Sequence, residues 1–491
     1  MQIDRATCRQ ARLARDVRFD GRFFIGVRTT GVFCRPICPA VSPAERNVDY
    51  YPTAAAAAEA GFRACLRCRP ECAPGTPAWV GDSTTVGRAL RLIGDGALEA
   101  GGVEKLAERL GVGDRHLRRL FVEHLGASPI AVAQTRRLLS AKRLIDETDM
   151  PLTAIAMSAG YGSIRRFNAA FLGSYGRSPR ELREARTGRG VSAQSVRPRL
   201  HGGSPPRYLF QLRYRPPFDW DALLGFLAPR AIPGVESVME GSYRRTFQIG
   251  DDVGWLEVAS RGVGALRLTI DISNPAHLLL IVTRVRRMLD LDADPMAIDG
   301  QLGRDALLGP LVKRRPGLRV PGTWDGFELG VRAIFGQQVS VAAATTLAGR
   351  LVAAFGRPLP REVPGLTHTF PSPEVLADAR AAEFGVPATR GEAIGGFARA
   401  VANGELSFGG EMDPAVFRVR VRLLFGIGEW TAEYMALRAL GDPDAFPSGD
   451  LGLLKAAKRR SARELAALAD AWRPWRAYAA MHLWTAGGSR V

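Results

Sequence analysis

Apolar positions change rhythm several times along the chain, and the changes predict its elements. Residues 79–186 repeat apolar positions at helical spacing and read as helices. Residues 207–290 instead contain short strand-like runs, RYLFQLRY, WLEVAS and GALRLTIDI, beside two helical patches. From 291 to 491 the helical rhythm returns, interrupted by the proline-rich stretch RPLPREVPGLTHTFPSP. Residues 187–206, TGRGVSAQSVRPRLHGGSPP, lack any apolar period and read as a flexible basic linker. The alanine run 54–58 predicts a short helix, with no chemistry of its own.

Length and charge narrow the class. The 491 residues exceed what one core serves, so several domains are expected. A formal net charge of +18 points to a polyanion, with nucleic acid ahead of a membrane surface or an acidic protein. Arginine-rich coding bias is the competing explanation for that charge. No apolar run is long enough to span a bilayer, and MQIDRATCRQARLARD lacks the apolar core of a signal peptide. The expected location is cytoplasmic, with reduced cysteines and no membrane partner.

All six cysteines fall within residues 1–78. Three residues separate Cys34 from Cys38 and two separate Cys65 from Cys68, and such close pairs in a reducing compartment predict a four-thiolate Zn²⁺ site. Cys8 and Cys72 stand outside this spacing. VRTTGVFCRPIC followed by AGFRACLRC resembles the N-terminal domain of the Ada family of bacterial adaptive-response proteins, over roughly residues 4–72. The resemblance implies that Cys34 accepts a methyl group from DNA phosphotriesters, with Cys38, Cys65 and Cys68 completing the metal site. A purely structural zinc is the alternative. The stretch PAVSPAERNV after Cys38 is less basic than that family's pattern.

The helical segment repeats itself. LAERLGVGDRHLRRLF (106–121) matches IAMSAGYGSIRRFNAAF (155–171), and GASP and GRSP follow the two copies. A small residue, a glycine turn and then a basic helix form the helix-turn-helix pattern. The tandem pair resembles the AraC-type DNA-binding domain. Arg115, Arg118 and Arg119 would lie on the first recognition helix, Arg165 and Arg166 with Asn168 on the second. A helical bundle with solvated arginine faces is the bland alternative.

In the C-terminal half, LFGIGEWTAEYMALRAL (424–440) places Gly426 and Gly428 around a β-branched residue before a helix, the hairpin of a helix-hairpin-helix motif. Such glycines let backbone approach a phosphate, and the helix N-terminus offers free amides. With RAIFGQQVSVAAA, FPSGDLGLLK and WRPWRAYAAMHLW, residues 207–491 resemble the AlkA-type 3-methyladenine DNA glycosylases of the helix-hairpin-helix superfamily. The resemblance makes Asp450 the catalytic carboxylate and Gln338 the wedge that fills the gap left by a flipped base, although glutamine is polar for that task. Asp442 and Asp444 read as loop or cap residues. An alkylated base is already cationic, so a single carboxylate that stabilises positive charge on the sugar suffices. Trp430 and Tyr434, four apart on one helix face, and Trp484 would form the base pocket, unless they only pack the core. Trp430 stands where lyase relatives carry a lysine nucleophile, which implies base removal without strand cleavage.

The expected fold is therefore multidomain and mainly α with α+β parts. Its segments are a small zinc α/β domain (1–78), an AraC-type tandem helix-turn-helix (79–186), the linker (187–206), an α+β domain (207–290) and a helical helix-hairpin-helix glycosylase domain (291–491). The expected function combines a methylphosphotriester sensor and transcriptional activator with a monofunctional alkylbase glycosylase. The rival is a DNA-binding regulator whose glycosylase fold is inactive. Double-stranded and alkylated DNA are the expected partners, with RNA polymerase a further one in a bacterial, nucleoid-associated setting. A monovalent cation at the hairpin is a second expected cofactor.

Overall fold

The computed structural model describes residues 3–74, 84–148, 150–187, 207–262, 264–380, 383, 385–410 and 412–486. Of the expected linker, residues 188–206 lie outside these. The chain forms two compact units: Met1–Pro216 with Val263–Thr283, and Pro217–Gly262 with Arg284–Val491. The architecture is mainly α with small sheets, as the apolar rhythm implied.

In the first unit the helix Arg5–Ala14 precedes a four-stranded sheet. Phe24–Val27 pairs antiparallel with Val32–Cys34 on one side and Val48–Tyr51 on the other, and the short Arg63–Ala64 lies parallel to Val32–Cys34. The alanine run forms the helix Ala54–Glu59, capped by Thr53, whose hydroxyl accepts from Ala56 N. That hydroxyl also donates to Leu125 O at 2.8 Å, and Ser128 Oγ donates to Glu59 at 3.0 Å. The sheet domain is thus seated on the helices that follow.

Those helices carry out the repeat seen in the sequence. In the first copy the helix Ala97–Leu110 turns at Gly111 into Asp114–Leu125; in the second, Leu152–Ser158 turns near Gly160 into Ile164–Tyr175. Gly111 and Gly160 have φ of 71° and 79°, the left-handed conformation that glycine adopts without strain. Ala107 and Ala156 on the first helices, and Phe121 and Phe171 on the second, are buried. After each copy a serine starts the next helix: Ser128 accepts from Ala131 N, and Ser178 forms a reciprocal box with Glu181. The strands Arg207–Arg213 and Ala265–Asp271 complete this unit as a seven-pair antiparallel ladder.

The second unit contains the antiparallel meander Glu236–Met239, Ser242–Ile249 and Asp252–Ser260. Its large apolar core runs from Ile232 to Trp484 and is built mostly from helices. The proline-rich stretch is not a bare interruption: Pro358–Val363 and Leu366–His368 pair as a short hairpin. Pro358, Pro360 and Pro364 of this hairpin are exposed, where a missing N–H costs little. Among the described residues no helix is long and apolar enough to cross a membrane.

Candidate functional site

Two constellations stand out, one in each unit. In the first, Cys34 ends a sheet strand, and Cys38 follows a turn closed by Cys38 N donating to Arg35 O. Cys65 follows the parallel strand, and its N–H bonds Phe33 O at 3.0 Å. The sheet register thereby brings the two pairs together, and the sulfurs of Cys34, Cys38, Cys65 and Cys68 lie within 4.8 Å of one another. A tetrahedral zinc with bonds of about 2.3 Å needs sulfurs about 4 Å apart, so the four fit the metal. Their crowding pushes the Cys34 thiol well up, chiefly through Cys38, and holds Cys65 well down, chiefly through Cys34. Four thiolates this close need a cation among them.

The metal cage is braced by its neighbours. Arg35 N–H points at Cys68 Sγ at 3.4 Å, and the Arg35 side chain is buried against Asp20 and donates to Cys68 O at 3.0 Å. Cys8 and Cys72 lie outside the cluster. Burial pushes each of their thiols up to about 11, the reverse of an activated nucleophile.

On the first recognition helix Arg115 and Arg119 are exposed. Arg118 is half-buried, near Asp114 and Glu104 at 3.7 and 3.6 Å. Arg165, Arg166 and Asn168 are exposed on the second.

The other constellation gathers three helices around Asp450. This residue ends the FPSGD loop, where its N–H bonds Pro447 O, and it caps the helix Leu451–Ala456. Oδ1 accepts from Leu453 N and from Trp484 Nε1, both at 2.9 Å, and Oδ2 accepts from Trp430 Nε1 at 2.9 Å. The carboxylate is 4% exposed. All of these partners are donors, the complement of a group that only accepts when ionised. Trp430 stacks on Tyr434 with centroids 5.1 Å and planes 9° apart, and Tyr434 meets Trp484 edge-on at 6.4 Å. The nearby acids are engaged elsewhere: Asp442 binds Arg418, and Asp444 binds Arg473 and Arg476. They are loop braces.

The hairpin glycines differ. Gly426 has φ 76°, and a Cβ there would sit 2.9 Å from the Ala393 side chain, so both conformation and packing require glycine. A Cβ on Gly428 would meet nothing. Gly428 caps the helix Glu429–Arg438 with no side chain, which leaves the first amides without a capping partner from it. Gln338 is exposed with φ 58°, in the loop between the helices Gly326–Phe335 and Val341–Phe355. Its neighbour Gln337, not singled out by the sequence, ties that loop to the hairpin by donating to Gly426 O at 2.9 Å and Thr431 Oγ1 at 3.1 Å. Arg390 donates to Gln337 O at 2.8 Å. The one hint in the sequence was the doubled glutamine.

The whole-chain likeness decides the family. The chain is 43% identical over 491 residues to the probable bifunctional transcriptional activator/DNA repair enzyme AlkA of Mycobacterium tuberculosis, covering 99% of this chain and 97% of that protein. It belongs to that bifunctional AlkA family. Within the family pattern, the metal binding domain of Ada matches residues 7–71, a helix-turn-helix domain residues 106–185, and the AlkA N-terminal domain residues 209–325. The part shared with DNA-3-methyladenine glycosylase 2 of Escherichia coli is 35% identical over 289 residues, 57% of this chain and 98% of that one. A 3-methyladenine DNA glycosylase from Archaeoglobus fulgidus shares the fold, with a TM-score of 0.52 at 21% identity, over 57% of this chain and 98% of that one.

Proposed function

We propose that this family member is a DNA repair enzyme and transcriptional activator whose C-terminal part hydrolyses the N-glycosidic bond of alkylated bases such as 3-methyladenine. The observation that carries this reading is the Asp450 carboxylate, buried and bonded on both oxygens by the indoles of Trp430 and Trp484. The base flips out of the duplex and lies against these aromatics. As the C1′–N bond breaks, positive charge grows on the sugar, and Asp450 stabilises it electrostatically while water adds. A base alkylated at a ring nitrogen leaves as a neutral molecule and needs no acid. The uncapped amides after Gly428 hold a DNA phosphate, Gln338 enters the gap in the stack, and a monovalent cation sits at the hairpin. With Trp430 in place of a lysine, the backbone stays uncut.

The N-terminal part acts as a methylphosphotriester sensor in this reading. Zinc would keep the sulfurs as thiolates. Cys34 Sγ then attacks the methyl carbon; the S–C bond forms, the C–O bond breaks, and the phosphodiester leaves with its negative charge. The site loses one negative charge, which weakens its repulsion from DNA. Arg115, Arg118, Arg119, Arg165 and Arg166 contact promoter DNA, and RNA polymerase is the partner of the activated form. The proposed segments are 1–78, 79–186, 187–206, 207–290 and 291–491.

Incubating the full chain with methylated DNA and measuring free 3-methyladenine tests the enzyme. Base release by the wild type that collapses in Asp450→Asn is expected. No release, or undiminished release by that variant, favours instead a regulator with an inactive glycosylase fold, in which Asp450 is only a helix cap. Mass spectrometry of Cys34 after exposure to methylphosphotriester DNA tests the sensor; an unmethylated Cys34 leaves a structural zinc.

A further inference from the structure

Tyr434 is held differently from the tryptophans around it. Its hydroxyl accepts a hydrogen bond from Arg438 Nη1 at 2.9 Å, one turn along the same helix. Arg438 is buried, and its other nitrogens donate to Pro321 O at 2.8 Å and Gly322 O at 2.9 Å. These three acceptors are neutral. The guanidinium carbon lies 5.6 Å from the centre of the Tyr434 ring and 4.9 Å from that of Phe226. Arg230 covers the same Phe226 ring at 3.9 Å. Arg332 is also close to Tyr434, but it is matched by Glu236 at 2.9 Å and Glu328 at 3.3 Å. Burial alone would raise the Tyr434 phenol, yet Arg438 and then Arg230 bring it below the ordinary tyrosine range.

A fixed cation behind the pocket opposes what its aromatics favour. The π faces of Trp430 and Trp484 attract a cationic base. Tyr434 already has one cation against it, and its ring is stacked on Trp430. Two unit charges about 10 Å apart at an effective dielectric constant of about 20 repel enough to shift an equilibrium about tenfold. An uncharged base escapes this repulsion and keeps the stacking.

We propose that Arg438 sets the charge selectivity of the base pocket: its buried guanidinium, fixed against Tyr434, lowers the preference for cationic alkylated bases and extends the pocket to uncharged modified purines. Arg438 acts through position and charge, and it touches no reacting atom. The inference rests on the glycosylase reading above.

The test uses the full chain with two duplexes, one carrying 7-methylguanine, which is cationic, and one carrying hypoxanthine, which is neutral. Single-turnover release gives the ratio of the two rates. In Arg438→Gln, which drops the charge but keeps a donor for the two carbonyls, the cationic-to-neutral ratio rises about tenfold. In Arg438→Lys, which keeps the charge, the ratio stays within about twofold of wild type, even where both rates fall. A residue that merely supports the fold would lower both rates and leave every ratio alone. An unchanged ratio in a folded Arg438→Gln, or an equal rise in the lysine variant, overturns the proposal. Should Arg438→Gln fail to fold, Tyr434→Phe decides: it removes the hydroxyl that receives the Arg438 bond and leaves the charge unshielded, so the ratio falls. A ratio that does not fall there overturns the proposal. A wild type that releases neither base overturns the glycosylase reading itself, and the inference with it.

Discussion

The two sites of this protein are built on opposite plans. The cysteine cluster is local: its four sulfurs come from residues 34–68, and a small sheet brings them together. The Asp450 site is assembled from residues 430, 450 and 484, which lie on three separate helices of a large core. The first depends on an ion for its integrity, because crowded sulfurs repel without one. The second depends on packing and hydrogen bonds alone. In the proposed chemistry the contrast continues: Cys34 is consumed once, whereas Asp450 makes no bond and turns over.

The sharpest way to break this contrast is to remove the metal. Structural zinc contributes on the order of 10 kcal/mol or more to the fold of a small domain. A strong chelator should unfold residues 3–74, seen as loss of hydrogen-exchange protection there, while base release stays within about twofold. A parallel loss of base release would show that the two sites are not separable.

Asp450→Asn comes next. Asparagine is as good a helix cap as aspartate, so the fold should persist. It carries no charge, and its amide nitrogen cannot accept an indole N–H. Single-turnover base release should fall by about two to three orders of magnitude, as for other losses of a preorganised electrostatic group, while the one indole N–H left without an acceptor lowers the melting temperature by only about 2–8 °C.

A smaller effect concerns acid. His482, on the same helix as Trp484, is 2% exposed, and its Nε2 has no hydrogen-bond partner among the described residues. Burial brings the imidazole down from 6.5 to about 4. The unfolded chain therefore takes up a proton near pH 6.5 that the folded chain refuses until about pH 4. Stability is fully present above pH 6.5 and is lost as pH falls, by up to about 3 kcal/mol at pH 4. Thermal melts from pH 7 to 4 on wild type and His482→Leu measure it; equal acid sensitivity in both would refute the assignment.

The smallest effect separates the hairpin glycines. Gly426→Ala should cost about 1 kcal/mol or more, from its positive φ and the Ala393 contact. Gly428→Ala has open space and ordinary backbone, so its melting temperature should stay within about 2 °C of wild type. It should nonetheless weaken DNA binding several-fold in a titration, because the added methyl group stands where a phosphate would approach. Equal behaviour of the two variants would mean that the hairpin does not face DNA.

Features that depend on short spacing were legible in the residue order. The Cys pairs announced the metal cage, the tandem repeat announced two helix-turn-helix units, and the glycines at 111 and 160 stand where the backbone turns left-handed. Strand runs such as GALRLTIDI were equally readable, since alternation survives in a ladder. The proline-rich hairpin was not, because its exposed strands carry no apolar alternation. Asp450, Trp430 and Trp484 could all be named from motif and family resemblance, but not the hydrogen bonds by which the two indoles, 20 and 34 positions away, grip the carboxylate. Gln337 gave no signal beyond the doubled glutamine and Arg438 none, since their partners are carbonyls and hydroxyls whose positions only the fold defines. Long-range hydrogen bonds to backbone, unlike helix caps, leave no trace in residue type or spacing. Only the fold placed the Arg438 guanidinium against Tyr434, one of the aromatics read from the residue order as a trap for cations.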